Sequence, residues 1–122
     1  MVRGPDDEEE WTVIVAVPVT ENGQVDPRWG RAQRMALARV AGGQVVEWTE
    51  HEVRWGELHD SATEGSHHAR IARFLIDNHV EAVVAGHMGP PMLRMLGTMG
   101  LQVHLDASGD ARSAVLAAVP AA

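Results

Sequence analysis

Two short apolar runs, Thr12-Val13-Ile14-Val15-Ala16-Val17-Pro18-Val19 and Ala82-Val83-Val84-Ala85, constrain what this chain can fold into more than any other feature. A strand with one wet face alternates apolar and polar residues. These runs do not alternate, so each must be covered on both faces. Strands of that kind belong to sheets with helices on both sides, and the chain is expected to be α/β.

The remaining segments fit that frame. Thr20 to Pro27 reads as a loop from its turn residues, Glu21-Asn22-Gly23 and Asp26-Pro27. Arg34 to Val40 and Gln44 to Thr49 read as an antiparallel hairpin across Ala41-Gly42-Gly43. His51 to Gly65 shows no period and reads as a polar connection. Ser66 then caps a helix whose inward stripe is His68, Ile71, Ala72, Leu75 and His79. Pro90 and Pro91 after Gly89 start a second helix that Gly100 ends, Leu101 to Leu105 is the last strand, and Asp110 to Ala118 is an alanine-rich helix. Right-handed crossovers then give a mixed five-stranded sheet of order 3-2-1-4-5, with the second strand antiparallel. We expect one domain over residues 12–119, preceded by a disordered acidic tail, 1–11.

Composition narrows the function classes. The chain has 122 residues and a net charge of −7, and all ten of its basic residues are arginine. The absence of lysine excludes Schiff-base chemistry, and the charge with no basic cluster argues against nucleic acid. No apolar run approaches the ~20 residues that cross a bilayer, nor is there a leader-like apolar stretch at the start, so the expected location is the cytoplasm. The absence of cysteine means that any ion or cluster must be held by nitrogen, oxygen or thioether.

All seven histidines lie between residues 51 and 104. In the expected topology, His51, His59, His67, His68, His87 and His104 collect at the carboxyl edge of the parallel strands, where open α/β sheets bind ligands, and His79 lies at the opposite edge. Imidazole binds transition metals near neutral pH. We single out His67, His68, His87 and His59 as candidate ligands, with Asp60 and Glu64 as possible oxygen donors or orienting groups. Three or four imidazoles with an open position suit copper, zinc, nickel or iron alike. On the second helix, Met88, Met92, Met95 and Met99 share a face at helical spacing, which a core or partner surface produces without any metal. Met88 alone is close enough to His87 to join a site. Trp48 and Trp55 flank the histidine-bearing connection, where packing explains them better than a role in the site.

At this point a family resemblance enters. The strand Ile14-Val15-Ala16-Val17-Pro18, the turn Trp29-Gly30-Arg31-Ala32 and the segment Val83-Val84-Ala85-Gly86-His87-Met88-Gly89-Pro90 together resemble the dinitrogenase iron-molybdenum cofactor biosynthesis family, which includes NifX, NafY, the C-terminal part of NifB and orange protein. The family usually has Phe-Gly-Arg-Ala at the turn and a Gly-Gly-Ile-Gly-Pro motif in the later segment. The resemblance implies a ribonuclease-H-like fold and a protein that binds or carries metal-sulfur clusters. It also implies cofactor-binding positions at Trp29, Gly30, Arg31, Met88 and Gly89, with Arg31 suited to an anionic cluster or carboxylate. The residue before the turn, often histidine in the family, is Arg28 here.

Three functions follow as expectations. The first is a small metal- or metal-cluster-binding carrier or assembly partner, working with a protein that donates or accepts the metal or cluster. The second is a metal-dependent enzyme with an open coordination position, and the third a metal-free regulatory or interaction module. A homodimer is compatible with all three, since small sheets carry exposed edges.

Overall fold

The computed structural model describes residues 12–60 and 63–119. The tail 1–11, and the disorder expected of it, lie outside the described residues, as do the side chains of Asp60 and Glu64. Five strands form one sheet of order β3-β2-β1-β4-β5: β1 is Val13–Val19, β2 Arg34–Ala41, β3 Gln44–Glu52, β4 Ala82–Val84 and β5 Gln102–His104. β2 runs antiparallel to β1 and β3, while β1, β4 and β5 are mutually parallel. The expected architecture and strand order are therefore those observed. The hairpin turns at Gly42 and Gly43, whose φ angles of 60° and 76° are open to glycine without a Cβ penalty.

The four helices are α1 (Trp55–Asp60), α2 (Glu64–Asp77), α3 (Pro90–Thr98) and α4 (Ala111–Ala118), with a 3-10 turn at Trp29–Arg31. Side chains alternate across the sheet. Val15, Val17 and Val19 of β1 join Ala36, Ala38 and Val40 of β2 under α4, with Val115 as that helix's buried anchor. Ala16, Met35, Val83 and Ala85 face the other way, against Ile71 and Leu75 of α2 and Met92 and Leu96 of α3. Both faces of β1 are thus covered, which is why its sequence shows no polar alternation.

Two features open the sheet at the carboxyl end of β1. Pairing between β1 and β4 stops at Ala16 and Val83, and two residues on, Pro18 has no N–H with which to continue a ladder. The chain beyond β1 folds back through a turn, with Asp26 N–H donating to the Pro18 carbonyl at 2.8 Å. The crevice between the parting strands is where the site lies.

Three expectations are corrected. The connection 51–65 is largely ordered: β3 extends to Glu52 and α1 follows, held by Trp55 N–H donating to the Ala32 carbonyl at 2.8 Å. A helix of six residues is too short to show a 3.6-residue period. The cap of α2 is Thr63, whose hydroxyl accepts the Ser66 N–H at 3.1 Å, so Ser66 lies inside the first turn. Finally, the inward stripe of α2 is His67, Ile71 and Leu75, with His68 half-buried and His79 exposed past the helix end. α1 covers the side of α2 that carries His67, which turns the stripe by one residue from the expected one.

Candidate functional site

A cleft of about 360 Å³ opens at the carboxyl edge of the sheet. All nine residues expected to form a site line it: Trp29, Gly30, Arg31, His59, His67, His68, His87, Met88 and Gly89. Pro27, Arg28, Pro91 and Met92 complete the wall. Met92 carried a signal in the sequence, since it follows Met88 by one helical turn. Arg28 was visible only as a departure from the family's turn.

Three segments build the cleft. The first is the 3-10 turn, set by the buried Asp26. Its carboxylate accepts from the Arg28 backbone N–H at 3.0 Å and from the guanidinium Nε and Nη2 at 3.1 Å each. That pairing raises the Arg28 pKa and makes Arg28 the residue that bridges to Asp26. The second segment leaves β4 at Ala85. A parallel backbone bridge between Arg28 and His87 draws it against the first, and Gly86 lets Pro27 and the Ala107 carbonyl approach to within 3.6 Å and 3.4 Å of where a Cβ would stand. The third is the α1–α2 pair. A Cβ on Gly56 would lie 2.9 Å from the Arg31 carbonyl oxygen, so α1 docks on the 3-10 turn only with glycine there.

His67 locks these parts together. It is 2% exposed, its Nε2 lies 2.8 Å from the Gly30 carbonyl, and its Nδ1 lies 2.9 Å from the Arg70 guanidinium. A carbonyl only accepts and a guanidinium only donates, so Nε2 carries the proton and Nδ1 offers its lone pair. The ring is neutral. Burial, outweighing the Gly30 bond, holds its pKa below the ordinary value, with His59, Arg70 and His68 adding to the depression. Both nitrogens are engaged by the protein, and a metal could take His67 only by displacing Arg70 or Gly30.

The other imidazoles stand differently. His59 packs edge-on to His67 with ring centroids 4.8 Å apart, His68 is half-buried, and His87 is exposed at the mouth. His51 and His104 lie at the carboxyl ends of β3 and β5, the expected edge, but do not line the cleft. His51 sits on β3 against Phe74, at 5.6 Å between ring centroids, and His104 lies on the edge strand β5 beneath α4's side of the sheet. Among the described residues, no three histidine, aspartate or glutamate side chains are placed to hold one metal ion. The four imidazoles of the cleft share a wall and do not form a preassembled ligand set.

Of two packed tryptophans, Trp29 lines the cleft and Trp55 lies behind it in the core. Trp29 and Trp55 are 3% and 2% exposed and meet edge to face at 5.7 Å, and Trp55 also contacts Phe74 and His67. Trp48, by contrast, lies on the opposite face of the sheet with Arg112 stacked 4.7 Å over its ring. The start of α3 is a poor anion cradle. Gly89 provides no side-chain cap, Pro90 and Pro91 have no N–H, and the Leu93 N–H is spent on the Gly89 carbonyl. The cleft's cationic character therefore comes from side chains.

An open, mixed α/β sheet with an arginine- and imidazole-lined crevice at its carboxyl edge defines the class, a small α/β protein with a cleft at the sheet edge. Residues 12–121 match the family described as dinitrogenase iron-molybdenum cofactor, and the chain belongs to it. Solved structures agree on the fold. The crystal structure of PH0822 superposes with a TM-score of 0.68 at 19% identity, covering 87% of each chain. The apo form of the orange protein from Desulfovibrio gigas gives a TM-score of 0.61 at 23% identity over 84% of this chain and 82% of that one. An NMR structure of a putative NifB protein from Thermotoga gives 0.61 at 19% identity over 84% of each.

Proposed function

We propose that this protein is a cytoplasmic carrier or assembly partner for a metal-sulfur cluster, held in the cleft between β1 and β4 and passed to or from another protein. One observation carries the reading. In a chain of net charge −7, the described lining of the cleft holds two arginines and four histidines and no carboxylate. A wall with arginine and imidazole and no described carboxylate favours an anion over a cation, and thiometallates, in which terminal sulfides outweigh the charge of the metal, are anionic without cysteine ligands. Membership of the iron-molybdenum cofactor family supports the same cargo.

The residues divide the work by position. Arg31 supplies positive charge at the turn, where Arg28 is paired with Asp26, and the exposed His87 with the half-buried His68 and His59 supply nitrogen donors that can reach a metal at the cluster's edge. Met88 and Met92, both buried in the wall, present thioethers suited to a soft surface. Gly30 and Gly89 keep the backbone close on either side. His67, with both nitrogens bonded, supports the turn. A single ion held by His59, His67, His68 and His87 would require a rearrangement of that support, so the cluster is favoured over a bare ion.

Anaerobic incubation with ferrous iron, sulfide and molybdate, followed by desalting, elemental analysis and a visible spectrum, tests the reading. The wild-type chain is expected to retain metal and sulfide together with a visible absorption band. Arg31→Gln combined with His87→Ala is expected to retain less than a tenth as much. A desalted wild-type protein free of metal and sulfide would overturn the proposal.

A further inference from the structure

Building on the reading of the cleft as a cluster site, we infer that Asp26 is a positioning residue that competes with the anionic cargo for Arg28, so that the cargo is held tightly enough to carry and loosely enough to hand over. Arg28 stands between two openings. It lines the cleft, and it also lines a second pocket of about 350 Å³, where Asp26 and Arg34 join it. The Arg28 side chain is 63% exposed and that of Asp26 3%, so the arginine is the member of the pair with room to move.

The pairing withholds charge from the cleft. Nε and Nη2 of Arg28 each lie 3.1 Å from a carboxylate oxygen of Asp26. A guanidinium neutralised in this way adds little to the attraction of an anion. An incoming anion with several acceptor atoms offers it the same two-pronged geometry that the carboxylate does. The two therefore compete for one guanidinium. Where the binding-competent arrangement is only a fraction of the population, the apparent Kd rises by the inverse of that fraction. A carrier gains from such a competitor, because cargo held at full strength is not released.

The carboxylate is not stranded when Arg28 leaves it. A buried carboxylate without a partner is costly. Oδ1 of Asp26 accepts from the Arg28 backbone N–H at 3.0 Å, a bond that does not depend on the guanidinium. The Asp26 backbone is tied to Pro18, and the next residue of β1, Val19, is the register partner of Arg34. Arg34 has only loose ion pairs, 3.9 Å to Glu50 and 3.8 Å to Glu52, with both carboxylates exposed, and pairs of that kind contribute little. It shares the second pocket with Asp26, so Asp26 exchanges Arg28 for Arg34 while Arg28 turns to the cleft.

The experiment is a double-mutant cycle in the full chain. The probe is tetrathiomolybdate, the simplest soluble anion that pairs molybdenum with terminal sulfide, and binding is read by equilibrium dialysis with molybdenum analysis. Salt is kept at about 0.15 M to screen more distant charges. Asp26→Asn keeps an oxygen for the Arg28 backbone N–H and removes the charge that holds the guanidinium. Its Kd is expected to fall about three- to fivefold, the upper part of what a partly exposed ion pair contributes, and in the direction opposite to that of simple damage to the site. Arg28→Gln is expected to raise Kd by at least the same factor. In the Arg28→Gln background, Asp26→Asn should change Kd by less than about 1.5-fold, since the competitor then has nothing to hold. A gain that persists in that background would overturn the inference, because the carboxylate would be acting through its charge alone, and so would an Asp26→Asn variant with unchanged or higher Kd. In wild type labelled with ¹⁵N-arginine, the Nε–H resonance that Arg28→Gln removes should move when tetrathiomolybdate is added. A resonance that stays in place counts against the inference equally, and it decides the matter should Asp26→Asn not fold. Wild-type binding with an additive cycle removes the inference alone, whereas a wild type that binds no thiometallate removes the cluster reading with it.

Discussion

The two faces of the sheet are built to different rules. Under α4 the buried residues are valines and alanines, from Val15, Val17 and Val19 through Ala36, Ala38 and Ala82 to Val115. Against α2 and α3 they are Trp29, Trp55, Met35, Met88, Met92, Ile71, Leu75 and Leu96, with the polar His67 beside them. Small branched side chains interlock flat against a sheet. Large aromatic and thioether side chains stand off from the sheet, and where the helices end they leave a cleft. One face is a scaffold and the other carries the site on its rim.

The strongest way to break that contrast is at Trp55. It is 2% exposed and touches Trp29, Phe74 and His67, so it belongs to the core and backs two residues of the cleft wall. Trp55→Ala is expected to cost about 3–5 kcal/mol of stability, the usual range for a buried tryptophan. Denaturant unfolding measures it, and anion binding at a temperature where the variant is still folded should fall as well. A loss of stability with unaltered binding would show that the cleft wall and the core behind it are separable.

His67 gives a second, smaller effect with a pH signature. Its protonation is disfavoured in the folded state, so its pKa lies below the value of about 6.5 expected of the unfolded chain. Between those two values the unfolded chain binds more protons. The stabilisation is therefore complete above about pH 6.5 and is lost as the pH falls from there towards the folded-state pKa. His67→Phe keeps a ring but strands the Gly30 carbonyl and Arg70, and about 1–3 kcal/mol of lost stability is expected at pH 7.5. The gap between wild type and variant, read from urea midpoints, should narrow steadily towards pH 5. A gap independent of pH would mean that the ring is not held neutral.

What was legible in the sequence follows the same division. The scaffold was readable because β1 and β4 lack polar alternation, and a buried parallel core leaves that mark locally. The convergence of four histidines on one cleft was readable because topology carries strand ends and helix starts to one edge, while Trp29, Gly30, Arg31, Met88 and Gly89 came from the family resemblance. The orientation of α2 was not, since whether His67 or His68 faces inward depends on α1, and α1 is six residues whose only signal is Trp55. The pairing of Asp26 with Arg28 was hidden too, because it depends on the turn made at residues 26–31 and not on spacing.

The scaffold face supplies the smallest test and the control for the others. Val115 is fully buried under the sheet, on the far side from the cleft. Val115→Ala removes two methyl groups, which at ~0.8 kcal/mol per buried methylene-sized unit gives about 1–2 kcal/mol of destabilisation. α4 contacts β1, β2, β3 and β4 but supplies no residue to the cleft, so the variant should bind tetrathiomolybdate as wild type does. The prediction is sharper than its size suggests, because β1 is shared by both faces. If Val115→Ala weakened binding in proportion to its loss of stability, strain would be passing through β1, and the scaffold would be part of the site. Unchanged binding at reduced stability would establish that the β1–β4 parting is set by Pro18 and the turn beyond it, independently of how tightly the valine face is packed.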